Sequence, residues 1–170
     1  MNVSLRWMIR RDLAEVVEIE RLSFEQRWNE KVFLQVLRQR TCIGIVAEHN
    51  HRVVGFMIYE LHKNMISILN FAVHPDYQNK RVGTQLINRV KDKLTQQRRR
   101  EIILEVRETN LPAQVFFRKL DFRAVGVLDN YFEDVGEDAY IMVYQLERPE
   151  SEYAPGLEPK NRISKYIKEA

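Results

Sequence analysis

The sequence predicts an α+β fold with a mixed, mostly antiparallel sheet and helices on both of its faces. Three observations carry this prediction. Apolar residues switch along the chain between the two-residue period of strands and the longer period of helices. Two β runs are separated by a short polar turn, which is typical of a hairpin. A third run, MISILNFAV, is apolar enough to be buried on both faces of a sheet.

The predicted elements follow the order β-α-α-β-β-β-α-β-α-β-β. Asp12 and Glu15 have the spacing of a capping box for the first helix, and Asn29 can cap the second. Asn110 begins the last helix, where Pro112 is tolerated in the first turn. We expect strands at residues 3–9, 42–48, 52–60, 65–73, 101–106, 124–128 and 140–146, and the third helix at residues 83–94.

The composition excludes several classes of protein. With 45% apolar and 30% charged residues, the 170-residue chain has the make-up of one soluble globular domain, and no apolar run approaches the ~20 residues of a bilayer-spanning helix. The N-terminus lacks the apolar stretch of a secretory signal, and the only cysteine, Cys42, suits a reducing cytosol, so we expect a cytoplasmic protein. The four histidines lack metal-ligand spacing, and a net charge of +3 is too small to indicate nucleic-acid binding. We therefore expect no metal, no membrane and no nucleic acid among its partners.

The composition changes once, near the C-terminus. Three of the five prolines lie in residues 149–170, and proline interrupts both helices and sheet ladders. We therefore predict one domain at residues 1–147 and a tail at residues 148–170. Within the tail, residues 161–170 can form a short amphipathic helix. That helix would pack on the domain or on a second copy of the chain, which would make a homodimer.

The most informative stretch runs from Phe71 to Thr84, with the sequence FAVHPDYQNKRVGT. A buried strand ends there, proline and aspartate force a turn, and a basic loop leads into a helix. The backbone N–H groups at a helix N-terminus suit a phosphate, and Lys80 and Arg81 add positive charge. Gly83 would let a ligand approach the backbone closely. An ordinary connection between a strand and a helix explains the same residues about equally well.

Several segments resemble the GNAT superfamily of N-acetyltransferases. The loop from Gln78 to Thr84 is similar to the Gln/Arg-x-x-Gly-x-Gly/Ala motif with which that superfamily holds the pyrophosphate of CoA. Residues 104–107, Asn110 and residues 116–122 resemble its second half. Residues 23–30 and 130–139 resemble one branch, the ribosomal-protein alanine N-acetyltransferases and their N-terminal-acetylating relatives. The resemblance covers residues 3–146 and implies a GNAT fold, with the sheet splayed between its fourth and fifth strands.

The resemblance also implies roles for individual residues. Glu105 matches the general base of the branch, and Val73 would offer its N–H to the thioester oxygen of acetyl-CoA. Tyr131 is not implied by the resemblance, but it is a candidate to supply a proton from the acceptor side in place of the family's tyrosine. The residues implied in binding acetyl-CoA are Phe71, Ala72, Val73, Gln78, Asn79, Lys80, Arg81, Val82, Gly83, Thr84, Asn110 and Phe117.

The chemistry of acetyl transfer needs such groups. A protein α-amino group titrates near ~7.7–8.0, so a carboxylate can remove the proton that blocks its attack. The thioester oxygen gains negative charge, which a backbone N–H stabilises. The alternative for Glu105 is a solvent-facing strand residue paired with Arg107 or Arg123, and the alternative for Tyr131 is a half-buried aromatic residue on a loop.

The sequence departs from the superfamily pattern at three positions. Phe117 replaces the tyrosine that protonates the departing CoA sulfur, and phenylalanine has no proton to give. Arg81 replaces the first loop glycine, where arginine is tolerated if its φ angle is negative, and its charge can help to bind a phosphate. Asp121 replaces the glycine before Phe122, where a left-handed turn is expected and aspartate is better tolerated than most residues.

The sequence therefore predicts an acetyl-CoA-dependent N-acetyltransferase that transfers acetyl directly to an amine in a ternary complex. The expected acceptor is the N-terminal α-amine of a protein such as a ribosomal protein. One alternative is acetylation of a polyamine or aminoglycoside, for which Glu133, Asp134, Glu137 and Asp138 supply negative charge. A second alternative is a CoA-binding module with weak or no catalysis, which the phenylalanine at position 117 favours.

Overall fold

The computed structural model describes residues 1–133 and 135–147. The predicted tail at residues 148–170 lies outside the described residues. So does Asp134, one of the acidic residues considered for a polycationic substrate. The chain divides into two compact units, Met1–Leu94 and a second unit that begins at Thr95. None of the described helices is both long enough and apolar enough to span a membrane.

The first unit contains an antiparallel sheet and three helices, in the predicted order. The strands pair in the order β1-β2-β3-β4, and every pair is antiparallel. Short 3₁₀ turns precede the first helix and follow the last strand. The bounds are β1 Ser4–Trp7, α1 Leu13–Ser23, α2 Glu30–Leu37, β2 Cys42–His49, β3 Arg52–Leu61, β4 Met65–Val73 and α3 Val82–Lys91.

The hairpin of β2 and β3 closes as predicted, with a two-residue turn. Asn50 and His51 have φ angles of 50° and 61°, so both lie in the left-handed region. Such turns match the right-handed twist of the strands that they join, and asparagine tolerates this conformation well. The turn therefore fixes the register of the hairpin.

The capping box predicted at Asp12 and Glu15 is wrong. Asp12 makes no side-chain bond to the first turn of α1. Its carboxylate instead accepts hydrogen bonds from the Ile9 N–H, at 2.8 Å, and from the Arg6 guanidinium, at 2.7 Å. Glu15 accepts from the N–H of Val53. Partners brought close by the fold thus replace the local ones. The predicted cap at Asn29 is confirmed, since its Oδ1 accepts from an N–H in the first turn of α2.

Helices cover both faces of the sheet in the first unit. Helices α1 and α2 bury one face together with Phe56 of β3, in a core cluster that includes Leu13, Val16, Ile19 and Phe33. The neighbouring residue, Gly55, points to the opposite face because side chains alternate along a strand. A Cβ atom at Gly55 would lie 3.3 Å from Val82 Cγ1 of α3. Glycine at this position therefore lets α3 pack closely against β3.

Two details of this unit differ from the prediction. Strand β4 shifts register against β3 opposite Ile58 and Tyr59, so Ile66 and Ile68 lie on one face and Ala72 lies on the other. Buried residues thus fall on both faces of β4, as predicted, but the apolar run overstates the burial because Leu69, at the shift, is 39% exposed. Helix α3 ends at Lys91 rather than at residue 94, although Leu94 is still buried.

In the second unit, the residues up to 147 that the structure describes form three antiparallel strands in the order β5-β7-β6 and one helix. Strands β6 and β7 are longer than predicted, because polar residues beyond the apolar runs continue the ladder. Asn110 caps the helix as predicted, with its Oδ1 accepting from the Ala113 N–H at 3.1 Å. The bounds are β5 Glu101–Arg107, α4 Leu111–Lys119, β6 Arg123–Phe132 and β7 Glu137–Gln145.

Helix α4 ends in a Schellman motif, which is the standard left-handed helix ending. Asp121 has a φ angle of 66°, as predicted for this position. The Phe122 N–H donates to the Phe117 carbonyl, and the Asp121 N–H donates to the Arg118 carbonyl. The rings of Phe117 and Phe122 pack at 5.3 Å, which is the apolar contact that accompanies this motif. The turn therefore fixes the backbone at Phe117.

Candidate functional site

The first part of the candidate site leads from the end of β4 into the first turn of α3. The chain passes through a 3₁₀ turn, Pro75–Tyr77, at which His74 Nδ1 accepts the Asp76 N–H. Gln78 Nε2 then donates to the Val73 carbonyl at 3.1 Å. The first residue of the predicted motif thus holds the loop against the last residue of the strand. The structure therefore brings together the two predicted segments, residues 71–73 and residues 78–84.

The backbone of this loop alternates between left-handed and ordinary φ angles. Asn79 and Arg81 have φ angles of 59° and 65°, whereas Lys80 between them does not have a positive φ angle. Successive N–H groups in such alternating conformations form concave sites that bind anions. The condition under which arginine would be tolerated without strain at position 81, a negative φ angle, is therefore not met. The left-handed conformation at this residue turns the chain into α3, which is why glycine suits the position.

The N-terminus of α3 is open to an anion. Arg81, the N-cap residue, makes no side-chain hydrogen bond to the first turn. Gly83, the second residue of the helix, is buried and carries no side chain over the N–H groups. Lys80 lies over the Tyr77 ring, with Nζ 5.4 Å from the ring centroid. The helix dipole, the N–H donors of the first turn and the nearby cations together fit a pyrophosphate.

We expect Arg81→Gly to stabilise the protein and to retain affinity for acetyl-CoA. A non-glycine residue in the left-handed region costs about 1 kcal/mol, which corresponds to about 2–4 °C in Tm for a chain of this size. The N–H groups that face the anion are unchanged by the substitution. Thermal unfolding and calorimetric titration with acetyl-CoA measure the two effects.

The matched control for this prediction is Arg81→Ala, which removes the same charge but keeps the strained backbone. We expect no gain in Tm for the alanine variant. Equal Tm values for the glycine and alanine variants would show that backbone strain at Arg81 does not limit stability. A large loss of acetyl-CoA affinity in both variants would show that the Arg81 guanidinium, rather than the backbone, contacts the anion.

The second part of the candidate site lies in the second unit, on β5. Glu105 follows buried Leu104 and precedes buried Val106, so its side chain points away from the core. It reaches the surface, yet burial of its carboxylate by neighbouring atoms raises its pKa. Arg107 pairs with Glu137 at 3.0 Å, and Glu105 forms no ion pair within residues 1–133 and 135–147. The alternative of a surface residue paired with Arg107 or Arg123 is therefore not supported.

The charge of Glu105 acts on the phenol of Tyr131. Burial, followed by the negative charge of Glu105, raises the pKa of the Tyr131 phenol. The ring is 50% exposed and packs edge-on against Phe132, with the centroids 5.0 Å apart. Tyr131 belongs to β6 rather than to a loop, which corrects the alternative considered from the sequence. A phenol with a raised pKa keeps its proton at neutral pH and can donate it.

Asn110 and Phe117 have structural roles that limit what they can offer a ligand. The Oδ1 atom of Asn110 is occupied by the helix cap, whereas its Nδ2 atom has no hydrogen-bond partner within the described part of the chain. Phe117 is 5% exposed and packs between Phe116 and Phe122. Only an amide donor of Asn110 and a small part of the Phe117 ring remain for contact with a ligand.

Two of the four acidic residues considered for a polycationic substrate are engaged in hydrogen bonds. Glu137 accepts from Arg107 and from Thr109, contacts that lower its pKa. Asp138 accepts the Asn130 N–H. Within residues 1–133 and 135–147, no group of three or more His, Cys, Asp or Glu side chains is arranged to hold a metal ion.

The sequence reasoning missed a buried acidic residue in the first unit. Glu20 is 1% exposed and lies in α1, where its carboxylate accepts two hydrogen bonds. The signal was available, because Glu20 follows Val16 by four residues and Leu13 by seven. This spacing places a charged side chain on the apolar face of the helix.

These features agree with a family match. The model of the acetyltransferase (GNAT) family matches residues 13–122, which is more than half of the chain. The chain therefore belongs to the acetyltransferase (GNAT) family, whose members use acetyl-CoA, and it is an N-acetyltransferase. The match begins at the first residue of α1 and ends at the Schellman turn after α4.

Individual relatives indicate which branch of the family the chain resembles. An N-alpha-acetyltransferase of Saccharolobus solfataricus is 29% identical over 148 residues, which cover 79% of this chain and 88% of that protein. The ribosomal protein bS18-alanine N-acetyltransferase of Escherichia coli is 29% identical over 137 residues, covering 79% of this chain and 92% of that protein. The crystal structure of the ribosomal-protein-S18-alanine N-acetyltransferase from Escherichia coli has a TM-score of 0.77 at 26% identity, covering 90% of this chain and 100% of that one. The predicted GNAT fold and the resemblance to this branch are confirmed.

Proposed function

We propose that this chain transfers acetyl from acetyl-CoA to the N-terminal α-amine of a protein in the cytoplasm, with residues 1–147 acting as one GNAT domain. The observation that carries the proposal is the Glu105 carboxylate, which has no ion pair within the described residues, has a raised pKa and lies in the same electrostatic environment as Tyr131. Relatives named as N-alpha-acetyltransferase and as ribosomal-protein alanine N-acetyltransferase support the choice of acceptor.

In the first unit, the proposed role is to bind and orient acetyl-CoA. The N–H groups that begin α3 hold the pyrophosphate, with Lys80 and Arg81 adding charge. The Val73 N–H donates to the thioester oxygen, which gains negative charge during transfer. Ala72 belongs to the buried core, so it contacts the pantetheine arm through its backbone. Gln78 supports the arrangement through its bond to the Val73 carbonyl.

In the second unit, the proposed role is proton transfer. Glu105 takes a proton from the acceptor amine, whose nitrogen forms the new bond to the acetyl carbon as the carbon–sulfur bond breaks. A carboxylate with a raised pKa is a better base than an ordinary one. Tyr131 supplies a proton to the departing sulfur, because Phe117 cannot. The Asn110 Nδ2 group donates to the CoA arm.

The test uses the purified protein, acetyl-CoA and short peptides that differ in their first residue, with release of free CoA as the measurement. We expect turnover with peptides that begin with alanine or serine. The same peptides with a blocked N-terminus and an internal lysine should be inactive, which separates the α-amine from side-chain amines. Turnover of spermidine but not of peptides would favour the small-molecule alternative. Calorimetric binding of acetyl-CoA without turnover of any amine would favour the CoA-binding module.

A further inference from the structure

The chain before β1 lies beside the loop that leads into α3. The Met1 nitrogen donates to the Lys80 carbonyl at 3.4 Å, and the Met1 carbonyl accepts from Gln85 Nε2 at 2.9 Å. The Val3 N–H donates to Gln85 Oε1 at 3.5 Å. Gln85 is the fourth residue of α3, so residues 1–3 bond to both the loop and the helix. We call Gln85 and residues 1–3 the brace.

The sheet holds the brace at its other end. Residues 1–3 run directly into β1, whose first residue, Ser4, pairs with Glu48 of β2. The next residue of β2, His49, has its Nδ1 atom 3.3 Å from the Asn2 carbonyl oxygen. The brace therefore connects the edge of the sheet to the start of α3.

The brace also bonds the backbone on both sides of Arg81. Gln85 Nε2 donates to the Arg81 carbonyl at 3.1 Å, and the Gln85 backbone N–H donates to the same oxygen at 3.2 Å. On the other side of Arg81, the Lys80 carbonyl accepts from Met1. The two peptide planes that flank a residue define its φ and ψ angles, and each plane here has its carbonyl bonded to the brace. These bonds therefore fix the conformation of Arg81.

The conformation of Arg81 needs such support. Its φ angle of 65° lies in the left-handed region, which is strained for a residue with a side chain. Residues in strained conformations persist only where the surrounding contacts determine them. The bond from the Gln85 backbone is the ordinary bond of a helix, whereas the bonds from the Gln85 side chain and from Met1 are additional. The brace thus supplies contacts that the helix alone does not.

The direction of these carbonyls decides where the neighbouring N–H groups point. In a trans peptide the C=O and N–H bonds point in opposite directions. The N–H groups of Arg81 and Val82 share their peptide planes with the two carbonyls that the brace bonds, so they point away from it. They belong to the start of α3, which the proposed function assigns to the pyrophosphate of acetyl-CoA. If Arg81 relaxed to a negative φ angle, at least one of these planes would rotate and its N–H would turn from the anion.

We propose that Gln85 is a positioning residue for acetyl-CoA, which acts together with residues 1–3. The brace holds Arg81 in its left-handed conformation and so keeps the N–H groups at the start of α3 directed at the pyrophosphate. This inference rests on the part of the proposed function that places the pyrophosphate there. It assigns Gln85 no chemical step and no contact with acetyl-CoA.

The test is Gln85→Met, which keeps the length of the side chain but removes its donor and its acceptor. We expect the Kd of acetyl-CoA to rise about tenfold in calorimetric titration. Binding of S-acetylpantetheine, which lacks the pyrophosphate, should not change in NMR titration. The matched control is Asn88→Met, an exposed position on the same helix, which should leave the Kd of acetyl-CoA unchanged. If Gln85→Met does not fold, Gln85→Ala removes the same bonds with a better helix former.

A double-mutant cycle with Arg81→Gly gives a result that a purely structural role of Gln85 would not produce. Glycine adopts the left-handed conformation without strain, so the loop then depends less on the brace. We expect Gln85→Met to raise the Kd of acetyl-CoA by about twofold in the Arg81→Gly background, against about tenfold in the parent. Equal factors in the two backgrounds would show that Gln85 does not act through Arg81 and would overturn the inference.

A last measurement needs no ligand. Trypsin cleaves after Lys80 and Arg81, and we expect cleavage there to be faster in Gln85→Met than in the parent or in Asn88→Met. Parent-like affinity in Gln85→Met would contradict the proposal, as would an equal loss of affinity for S-acetylpantetheine. If the parent binds acetyl-CoA but acetylates no amine, the proposed function fails and the binding data still decide on Gln85. If the parent binds no acetyl-CoA, both are wrong.

Discussion

Replacing Glu105 by glutamine is expected to lower kcat for peptide acetylation by about a hundredfold, within the range that a positioned general base contributes. The substitution keeps the size and the position of the side chain on β5, but glutamine cannot accept the proton of the amine. Glu105 has no assigned contact with acetyl-CoA, so the Kd of acetyl-CoA should not change. Steady-state kinetics and calorimetry measure these two quantities separately.

The pH dependence of the same variant supplies a second result. Because the pKa of Glu105 is raised, the folded protein holds this proton more tightly than the unfolded chain does. Stability from this group is therefore present below the ordinary glutamate pKa and is lost as the pH rises through the raised value. We expect Glu105→Gln to be more stable than the parent at pH 7, with the difference disappearing in acid. The deficit in kcat should shrink at high pH, where the acceptor amine is already neutral.

The matched control is Glu101→Gln, four residues earlier on β5 and on the same face of the strand. Glu101 accepts a hydrogen bond from Gln145 and has no proposed chemical role. A normal kcat in the control together with a low one in Glu105→Gln would locate the base. A parent-like rate in Glu105→Gln would remove Glu105 from the chemistry, and equal losses in both variants would indicate a general effect on β5.

Replacing Phe117 by tyrosine is expected to raise kcat by about tenfold. A general acid contributes ~10²–10⁴-fold in favourable cases, but the gain here is smaller, because a CoA thiol near ~8.5 leaves tolerably well as a thiolate and Tyr131 is already proposed as a donor. The Schellman turn fixes the backbone at this residue, and the ring already packs between two other phenylalanines. The hydroxyl that tyrosine adds is therefore carried by a ring whose position is fixed by packing. Single-turnover measurements of CoA release would isolate the chemical step.

A double-mutant cycle with Tyr131→Phe tests which residue supplies the proton. In the parent, Tyr131→Phe should lower kcat, because the phenol that retains its proton is lost. In the Phe117→Tyr background, the same change should cost much less, because a second acid is then present. Equal effects of Tyr131→Phe in both backgrounds would show that the two positions do not share this role.

Features that depend on neighbours in the sequence were predictable. The caps at Asn29 and Asn110 follow from side chains that reach N–H groups three residues away. The left-handed turn at Asp121 follows from the position of a helix end. The strand order within each unit, by contrast, comes from which runs pair, whereas the local spacing at residues 50–51 already predicts the hairpin of β2 and β3.

Features that depend on distant partners were not predictable. Asp12 bonds to Arg6 and Glu15 bonds to Val53, so a correct capping spacing gave a wrong cap. The φ angle of Arg81 is set by the turn into α3, and sequence preference argues against it. Glu20 meets Asn70 across fifty positions of the chain. The pattern of apolar residues shows that such a group is unusual but does not identify its partner.

The packing of Phe117 has a genetic consequence. The codons of phenylalanine and tyrosine differ at a single nucleotide, so one base change converts the residue at this position into its hydroxylated counterpart. The ring contacts and the helix ending use only the hydrocarbon part of the side chain and the main chain, which both residues provide. Selection for slower or faster acetylation can therefore act here in one mutational step, without a compensating change elsewhere in the gene.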